Sequence, residues 1–436
     1  MRLTFDEPLG QKIFKIQSMA FLNSLKSTFF IWFLLLIACG NQTKAEKTQS
    51  KPAVAMNDSV KVKPVVVAAN RTEAYLPLLK GKKVGIVGNQ TTIIFKDEVK
   101  DAPLPYVHLV DSLLAHHVDI KKVFAPEHGF RGRADAGEKV KDGVDNKTGL
   151  PLISLYGKNR KPSAEQLEDI DIVLFDIQDV GVRFYTYIAT LQLVMEACAE
   201  QNVPIIVLDR PNPNGAYIDG PTMKKEHSGF LGMTEIPLVY GMTIGEYARM
   251  INEEKWLGSG VKADLTVIPL ENWTYDTPYS IPVRPSPNLP NDTAINLYPS
   301  LGLFEGTNIN AGRGTELQFQ CYGASFLDST QYSFKYTPMP NFGSKSPKEN
   351  GKTCFGKDLS GFPKMNEVSL QWLIDAYTNT LDKSKFFNTK GFTAHAGTET
   401  LQKQIEQGIN EEEIKATWQS DIDKFKKIRK KYLMYL

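Results

Sequence analysis

Ile170-Asp-Ile-Val-Leu-Phe-Asp-Ile-Gln-Asp179 is an apolar run that ends in polar residues, and Val203-Pro-Ile-Ile-Val-Leu-Asp-Arg210 repeats the pattern further along. Between them Phe184–Gln201 carries apolar residues at helical spacing. Ile170–Phe175 and Val203–Leu208 read as strands joined by a long helix, which makes them parallel neighbours. Their apolar residues are continuous rather than alternating, so both faces should be covered. Working outward, Lys83–Val87 is a strand ending at Gly88-Asn-Gln-Thr91, and Pro105–His117 has helical spacing. Ile120–Ala125 and Pro151–Leu155 are two more strands, and Ser163-Ala-Glu-Gln166 has capping-box spacing. Downstream, Thr243-Ile-Gly-Glu246 opens a helix to about Trp256, and Leu265–Leu270 is a strand. The alternation predicts an α/β fold, a doubly wound and mostly parallel sheet over residues 72–299. Thr277–Pro299 is too rich in proline for regular structure. Helices over Val368–Leu381, near Glu399–Gln407 and from Glu411 onward place a smaller α+β domain over residues 300–436, closing a cleft. There is no internal repeat.

The first 39 residues read as a targeting segment. Phe29–Ala38 is apolar but too short to span a bilayer, and Lys26 precedes it. A charged start, a short apolar core and small residues at its end describe a secretory signal, with Met19 a better start than Met1. Leu36-Ile-Ala-Cys39 resembles a bacterial lipobox, in which Cys39 becomes the lipidated first residue. Residues 40–71, polar and marked by Pro52 and Pro64, read as a flexible tether. The expected location is the cell envelope, on a membrane anchor and facing the periplasm. The formal charge of +2, with 42% hydrophobic and 23% charged residues, is that of an ordinary globular protein. No basic stripe with interleaved aromatics is present, so nucleic acid is not an expected partner. The Lys-rich Lys424–Lys431 reads as the wet face of a last helix. Cys198 reads as a core residue; a Cys321–Cys354 bridge stays open at this level.

Strand ends at Asn89-Gln90-Thr91, Glu127-His128, Asp176/Gln178/Asp179 and Asp209-Arg210 converge on one sheet edge, where ligands of open α/β sheets bind. Arg183 and Tyr185 open the long helix beside them. Glu127 is the candidate general acid: Phe124, Ala125, Pro126 and Phe130 around it would desolvate a carboxyl and keep it protonated. The competing reading is a carboxylate that caps a turn. His128 can orient Glu127 or bind a hydroxyl. Asp176 and Asp179 can supply a second catalytic carboxylate or bind nearby backbone N–H groups. Arg131, Arg183, Arg210 and Arg313 are candidate anion holders, or ion-pair partners. Arg284-Pro-Ser-Pro-Asn-Leu-Pro290 is a stiff loop suited to a cleft wall, ahead of the glycine-rich Gly302–Asn308 and Gly312–Glu316. His227 and His395 read as structural. No GxGxxG, P-loop, CxxC or paired-His pattern occurs, so no cofactor and no metal are expected.

Pro126-Glu-His-Gly129, Phe175-Asp-Ile-Gln-Asp-Val-Gly-Val-Arg-Phe-Tyr-Thr186, Asp209-Arg-Pro-Asn-Pro213, Arg284-Pro-Ser-Pro-Asn288, Phe304-Glu-Gly-Thr-Asn308 and Gly312-Arg-Gly-Thr315 occur in this order. In these motifs the chain, from about Ala74 to its end, closely resembles the NamZ-type exo-β-N-acetylmuramidases, long filed as a domain of unknown function. The resemblance implies a Rossmann-like domain with a smaller C-terminal domain, and an active site in the cleft between them. It implies release of N-acetylmuramic acid from the non-reducing ends of peptidoglycan fragments, with Glu127 as the catalytic residue. Muramic acid carries a lactyl carboxylate, for which Arg183 and Arg313 are the first choices. Asn89, Asp176 and Asn288 would serve its hydroxyls, and Gln90, His128, Gln178, Tyr185, Asp209 and Glu305 complete the expected binding set. Glycoside hydrolysis then runs either with Glu127 and one of Asp176 or Asp179, or with the substrate acetamido group as nucleophile. The runner-up is a lipid-anchored muropeptide- or sugar-binding protein without turnover. A metal-dependent amidase using Glu127, His128 and an Asp is a weaker third.

Overall fold

A computed structural model describes residues 63–96, 105–132 and 142–435. Its centre is a seven-stranded sheet built from β1 (Lys83–Gly88), β2 (Asp119–Ala125), β3 (Gly143–Val144), β4 (Pro151–Ser154), β5 (Ile172–Asp176), β6 (Ile205–Leu208) and β7 (Leu265–Ile268). The spatial order is β3-β4-β2-β1-β5-β6-β7, parallel throughout except for the short edge strand β3. The chain therefore winds outward from β1 on one side, then returns to β5 and winds outward on the other. This is the expected doubly wound α/β sheet.

Successive side chains of a strand point to opposite faces, and both faces here are apolar. Val87, Phe124, Val173, Phe175, Ile205 and Val207 join one core, packed under the helices Tyr187–Glu200 and Ile244–Glu253. Val84, Ile86, Val123, Leu174, Ile206 and Leu208 join the other, under the helices Thr72–Leu79 and Leu109–Ala115. The first core continues into the C-terminal part through Tyr322, Phe392 and Phe425. That part adds helices and a small antiparallel sheet of Cys321–Ala324, Phe334–Tyr336 and Cys354–Asp358. Cys321 lies opposite Asp358 and Cys354 opposite Tyr336, and both buried thiols are unbridged.

Several local expectations shift. Tyr106–His108 pairs as a strand with Ile93–Phe95, and the helix begins only at Leu109. Val67, Ala68 and Ala69, placed in the tether by sequence, are buried, and Val66 bridges Glu271. The proline-rich passage contains a helix, Asp292–Leu301, that includes Pro299. Asn291 caps its start by accepting from the Ala294 N–H. Pro299 has no N–H for the Ile295 carbonyl, but Asn214 Nδ2 donates to that oxygen at 3.1 Å. The broken rung is thus repaired from another element.

Candidate active site

Glu127 sits half-buried where β2 ends, on the floor of a cleft of about 760 Å³. The turn that holds it is tight: Gly129 N–H donates to the Pro126 carbonyl at 3.0 Å. His128 has φ +69° and Gly129 φ +73°. A left-handed histidine is uncommon, and such residues gather at functional sites. Phe124 and Phe130, expected to cover the carboxyl, belong instead to the two cores, with Phe130 edge-on to His108 at 4.7 Å. Hydroxyls are among the neighbours of Glu127. Thr186 donates to its Oε2 at 2.8 Å, Tyr187 reaches its carbonyl oxygen at 3.5 Å, and the Tyr156 phenol lies near its carboxylate. Burial, then the Glu127 carboxylate, push the Tyr156 phenol up, so it remains a donor.

The C-terminal part supplies the opposite wall with Glu305, Arg313, Lys345, Lys348 and His395. Arg313 Nε donates to Glu305 Oε1 at 3.2 Å, and its guanidinium lies 5.2 Å from the Phe319 ring centre. Lys348 Nζ donates to the carbonyls of Phe304, Glu305 and Thr307 at 2.9, 3.0 and 2.7 Å. Burial alone would raise the Glu305 carboxyl, but Arg313, Lys348 and His395 outweigh it and hold it at about 2. Burial pushes the His395 imidazole down, so the ring is neutral near pH 7; it bonds the Gly391 carbonyl at 2.9 Å. A wall with more cations than carboxylates suits an anionic ligand. The tyrosines and Phe184 of the floor suit the apolar face of a sugar.

The strand ends do converge, but largely as a buried polar layer. Asp176, at the end of β5, is fully buried and forms a fork with Arg210 at 2.6 and 2.8 Å. Asp179 accepts from the Gly181 N–H at 2.6 Å and from Tyr240. Asp209 accepts from Thr243, Tyr435 and the Gly245 N–H. None of the three lines the cleft. Asn89 closes a local turn with Thr91, and Gln178 donates to the Asp179 and Pro211 carbonyls. Arg131 pairs with Asp145.

Other expected binders hold the walls. Gln90, Tyr185 and Tyr187 all donate to the Pro285 carbonyl, fixing the stiff loop. Asn288 donates to the Gly343 carbonyl at 2.6 Å, tying that loop to the segment carrying Lys345 and Lys348. Tyr185, His128, Glu305 and Arg313 do line the cleft.

Arg183 departs most from expectation. It is fully buried and absent from the cleft lining. Its Nη1 donates to the Pro221 and Ile236 carbonyls, and its Nη2 to those of His395 and Ala396, at 2.7–3.0 Å. A cation at a helix C-terminus is stabilising, and this one closes the helix Thr389–Ala396 that carries His395. Sequence reasoning also missed Tyr156, Thr186, Tyr187, Tyr298, Lys345, Lys348 and His395. Thr186 and Tyr187 follow the Arg183 motif and had a positional signal; the lysines, in an irregular loop, had none. Among the described residues no group of three His, Cys, Asp or Glu is placed to hold a metal ion.

The sequence family described as exo-β-N-acetylmuramidase NamZ matches this chain, its N-terminal part over residues 84–293 and its C-terminal part over 296–435. The peptidoglycan β-N-acetylmuramidase NamZ of Bacillus subtilis (strain 168) is 38% identical over 384 residues, covering 83% of this chain and 89% of that protein. A crystal structure of a DUF1343 family protein from Bacteroides fragilis NCTC 9343 superposes with a TM-score of 0.77 at 42% identity, covering 86% of this chain and 99% of that one. A second DUF1343 protein from the same strain gives 0.70 at 26% identity, covering 85% and 99%. The chain belongs to the NamZ family and is a glycoside hydrolase.

Proposed function

We propose that this hydrolase removes single N-acetylmuramic acid residues from the non-reducing ends of peptidoglycan fragments. The observation that carries the reading is the pairing of Glu127, held by the Thr186 hydroxyl on the cleft floor, with a cationic wall opposite. The wall takes the lactyl carboxylate, with Arg313 its principal contact. Glu127 donates a proton to the glycosidic oxygen as the bond to the anomeric carbon breaks. Asp176 and Asp179 are committed elsewhere, which favours the acetamido oxygen of the substrate as the group that closes onto the anomeric carbon. Glu127, now ionised, takes a proton from the water that opens that ring, and the free sugar leaves.

The test is incubation with a peptide-free glycan chain that begins in N-acetylmuramic acid, followed by mass spectrometry. Release of one such monosaccharide per chain, leaving a chain that begins in N-acetylglucosamine, is expected. Internal fragments would contradict exo action, and saturable binding without products would return the binding-protein reading. The Leu36–Cys39 signal, outside the described residues, supports a lipid anchor on Cys39 and an envelope location. Cys39→Ser should move the protein from the membrane fraction to the soluble one; continued anchoring would refute that site.

A further inference from the structure

A shallow groove of about 480 Å³ adjoins the cleft, lined by Lys158, Arg160, Lys161, Leu193, Phe230 and Met233. It starts beside the reacting bond. Tyr156, whose phenol lies near the Glu127 carboxylate, packs its ring on Phe230 at 6.3 Å between centres, and the Arg160 guanidinium lies 4.2 Å over the Phe230 ring. Leu231 lines the cleft while Phe230, the next residue back, lines the groove. Both stand on a short reversal closed by Gly229 and Gly232, which exchange backbone hydrogen bonds at 3.0 and 2.9 Å. The cationic loop is anchored in turn: Asn159 Nδ2 donates to the Ser154 carbonyl at the end of β4.

The charges of this groove are not equally committed. Lys161 pairs with Glu200 and Glu196 at 2.7 and 3.6 Å. Lys158 and Arg160 are exposed, and no ion pair joins either to a carboxylate among the described residues. An aromatic pair with unneutralised cations over and beside it offers the apolar and charged groups that a leaving glycan chain calls for. An enzyme that encloses one terminal sugar must let the rest of the chain out past its acid.

We propose that this groove is the acceptor-side subsite, resting on the exo-muramidase reading above. The N-acetylglucosamine next to the cleaved bond lies on Tyr156 and Phe230. The following muramyl residue sets a carboxylate, its own lactyl group or one of its stem peptide, against Arg160 and Lys158. Arginine forks suit carboxylates, and partly exposed aromatic rings suit the apolar face of a sugar.

The experiment compares the disaccharide N-acetylmuramyl-N-acetylglucosamine with the tetrasaccharide of two such units, in wild type, Arg160→Glu and Arg160→Lys. The readout is the ratio of kcat/KM for the longer chain to that for the shorter. Arg160→Glu should lower this ratio by about 10-fold or more, the scale of one lost charge-assisted hydrogen bond. Arg160→Lys should keep most of it, and 1 M salt should reduce the wild-type ratio, as screening predicts. Tetrasaccharides with and without stem peptides tell which carboxylate is read; a selective loss with either supports the subsite. An unchanged ratio with both, in a variant of unchanged Tm, overturns it. If wild type cleaves neither sugar, the catalytic reading falls. Calorimetric binding of the same sugars then tests the groove, and equal affinities in wild type and Arg160→Glu would overturn it.

Discussion

Arg183 and Arg313 share a chemistry and are equal candidates in the sequence for the lactyl carboxylate. The structure separates them by where they stand. Arg183 gives its two terminal nitrogens to four carbonyls in the interior, whereas Arg313 stands in the cleft wall beside Glu305. Arg183→Ala should therefore act on stability, by at least about 3 kcal/mol, because several buried carbonyls lose their donor at once. Chemical denaturation measures this, and a stable variant with altered sugar preference would contradict it. Arg313→Ala should instead weaken turnover of a muramic substrate well beyond that of the N-acetylglucosamine analogue. Equal losses on both sugars would remove Arg313 from lactyl recognition. The place of Glu127 in the cleft was legible because a carboxylate at a strand end before a glycine turn stands at the edge of the sheet. Asp176 has the same local signal. Its partner Arg210 follows β6, the strand beside β5, so only the sheet order reveals that this carboxylate is consumed internally.

At the scale of elements, periodicity and capping chemistry carried most of the information. The Ser163 and Thr243 capping boxes form as their spacing requires, because each satisfies two otherwise orphaned N–H groups with residues four positions apart or fewer. Signals failed where a distant group intervenes. The helix Asp292–Leu301, which brings Tyr298 to the cleft, accommodates Pro299 with Asn214 donating to the buried Ile295 carbonyl that the proline leaves without an N–H. The long helix Tyr187–Glu200 departs in another way: Thr186 occupies its N-cap yet makes no side-chain capping bond. Its hydroxyl goes to Glu127 instead. Thr186→Ala should thus lower kcat while costing less than about 1 kcal/mol of stability, unlike an ordinary cap. Thermal unfolding and initial rates, measured together, check both halves. A large stability loss with normal kcat would return Thr186 to a capping role.

Across the whole molecule, the crevice where the winding of the sheet reverses is stapled by buried polar groups, and the open cleft lies to one side of it. Burial pushes the Asp179 carboxyl up to about 7, against the opposing bonds from Tyr240 and the Gly181 N–H. Below about pH 4 this group is protonated whether the chain is folded or not. Between about 4 and 7 the unfolded chain releases the proton and the folded protein keeps it, so stability falls as pH rises through that window. Asp179→Asn removes the titration. Its unfolding free energy should lack a decline on the order of a few kcal/mol that wild type shows from pH 4 to pH 7 and above. Parallel slopes for the two proteins would refute a buried, proton-holding Asp179. The doubly wound plan itself was readable from continuous apolar strands, but the use of each strand end depends on neighbours that only the assembled sheet defines. The claim on which the account rests is that Glu127 is the acid of an N-acetylmuramic acid-releasing hydrolase. The measurement is kcat on the disaccharide N-acetylmuramyl-N-acetylglucosamine, whose sugar leaving group needs a proton, for wild type and Glu127→Gln, beside the matching disaccharide of two N-acetylglucosamine residues. The account predicts release from the muramic compound by wild type alone, and a fall of about 10³-fold or more in a variant of native Tm. Near-normal turnover by Glu127→Gln would contradict it.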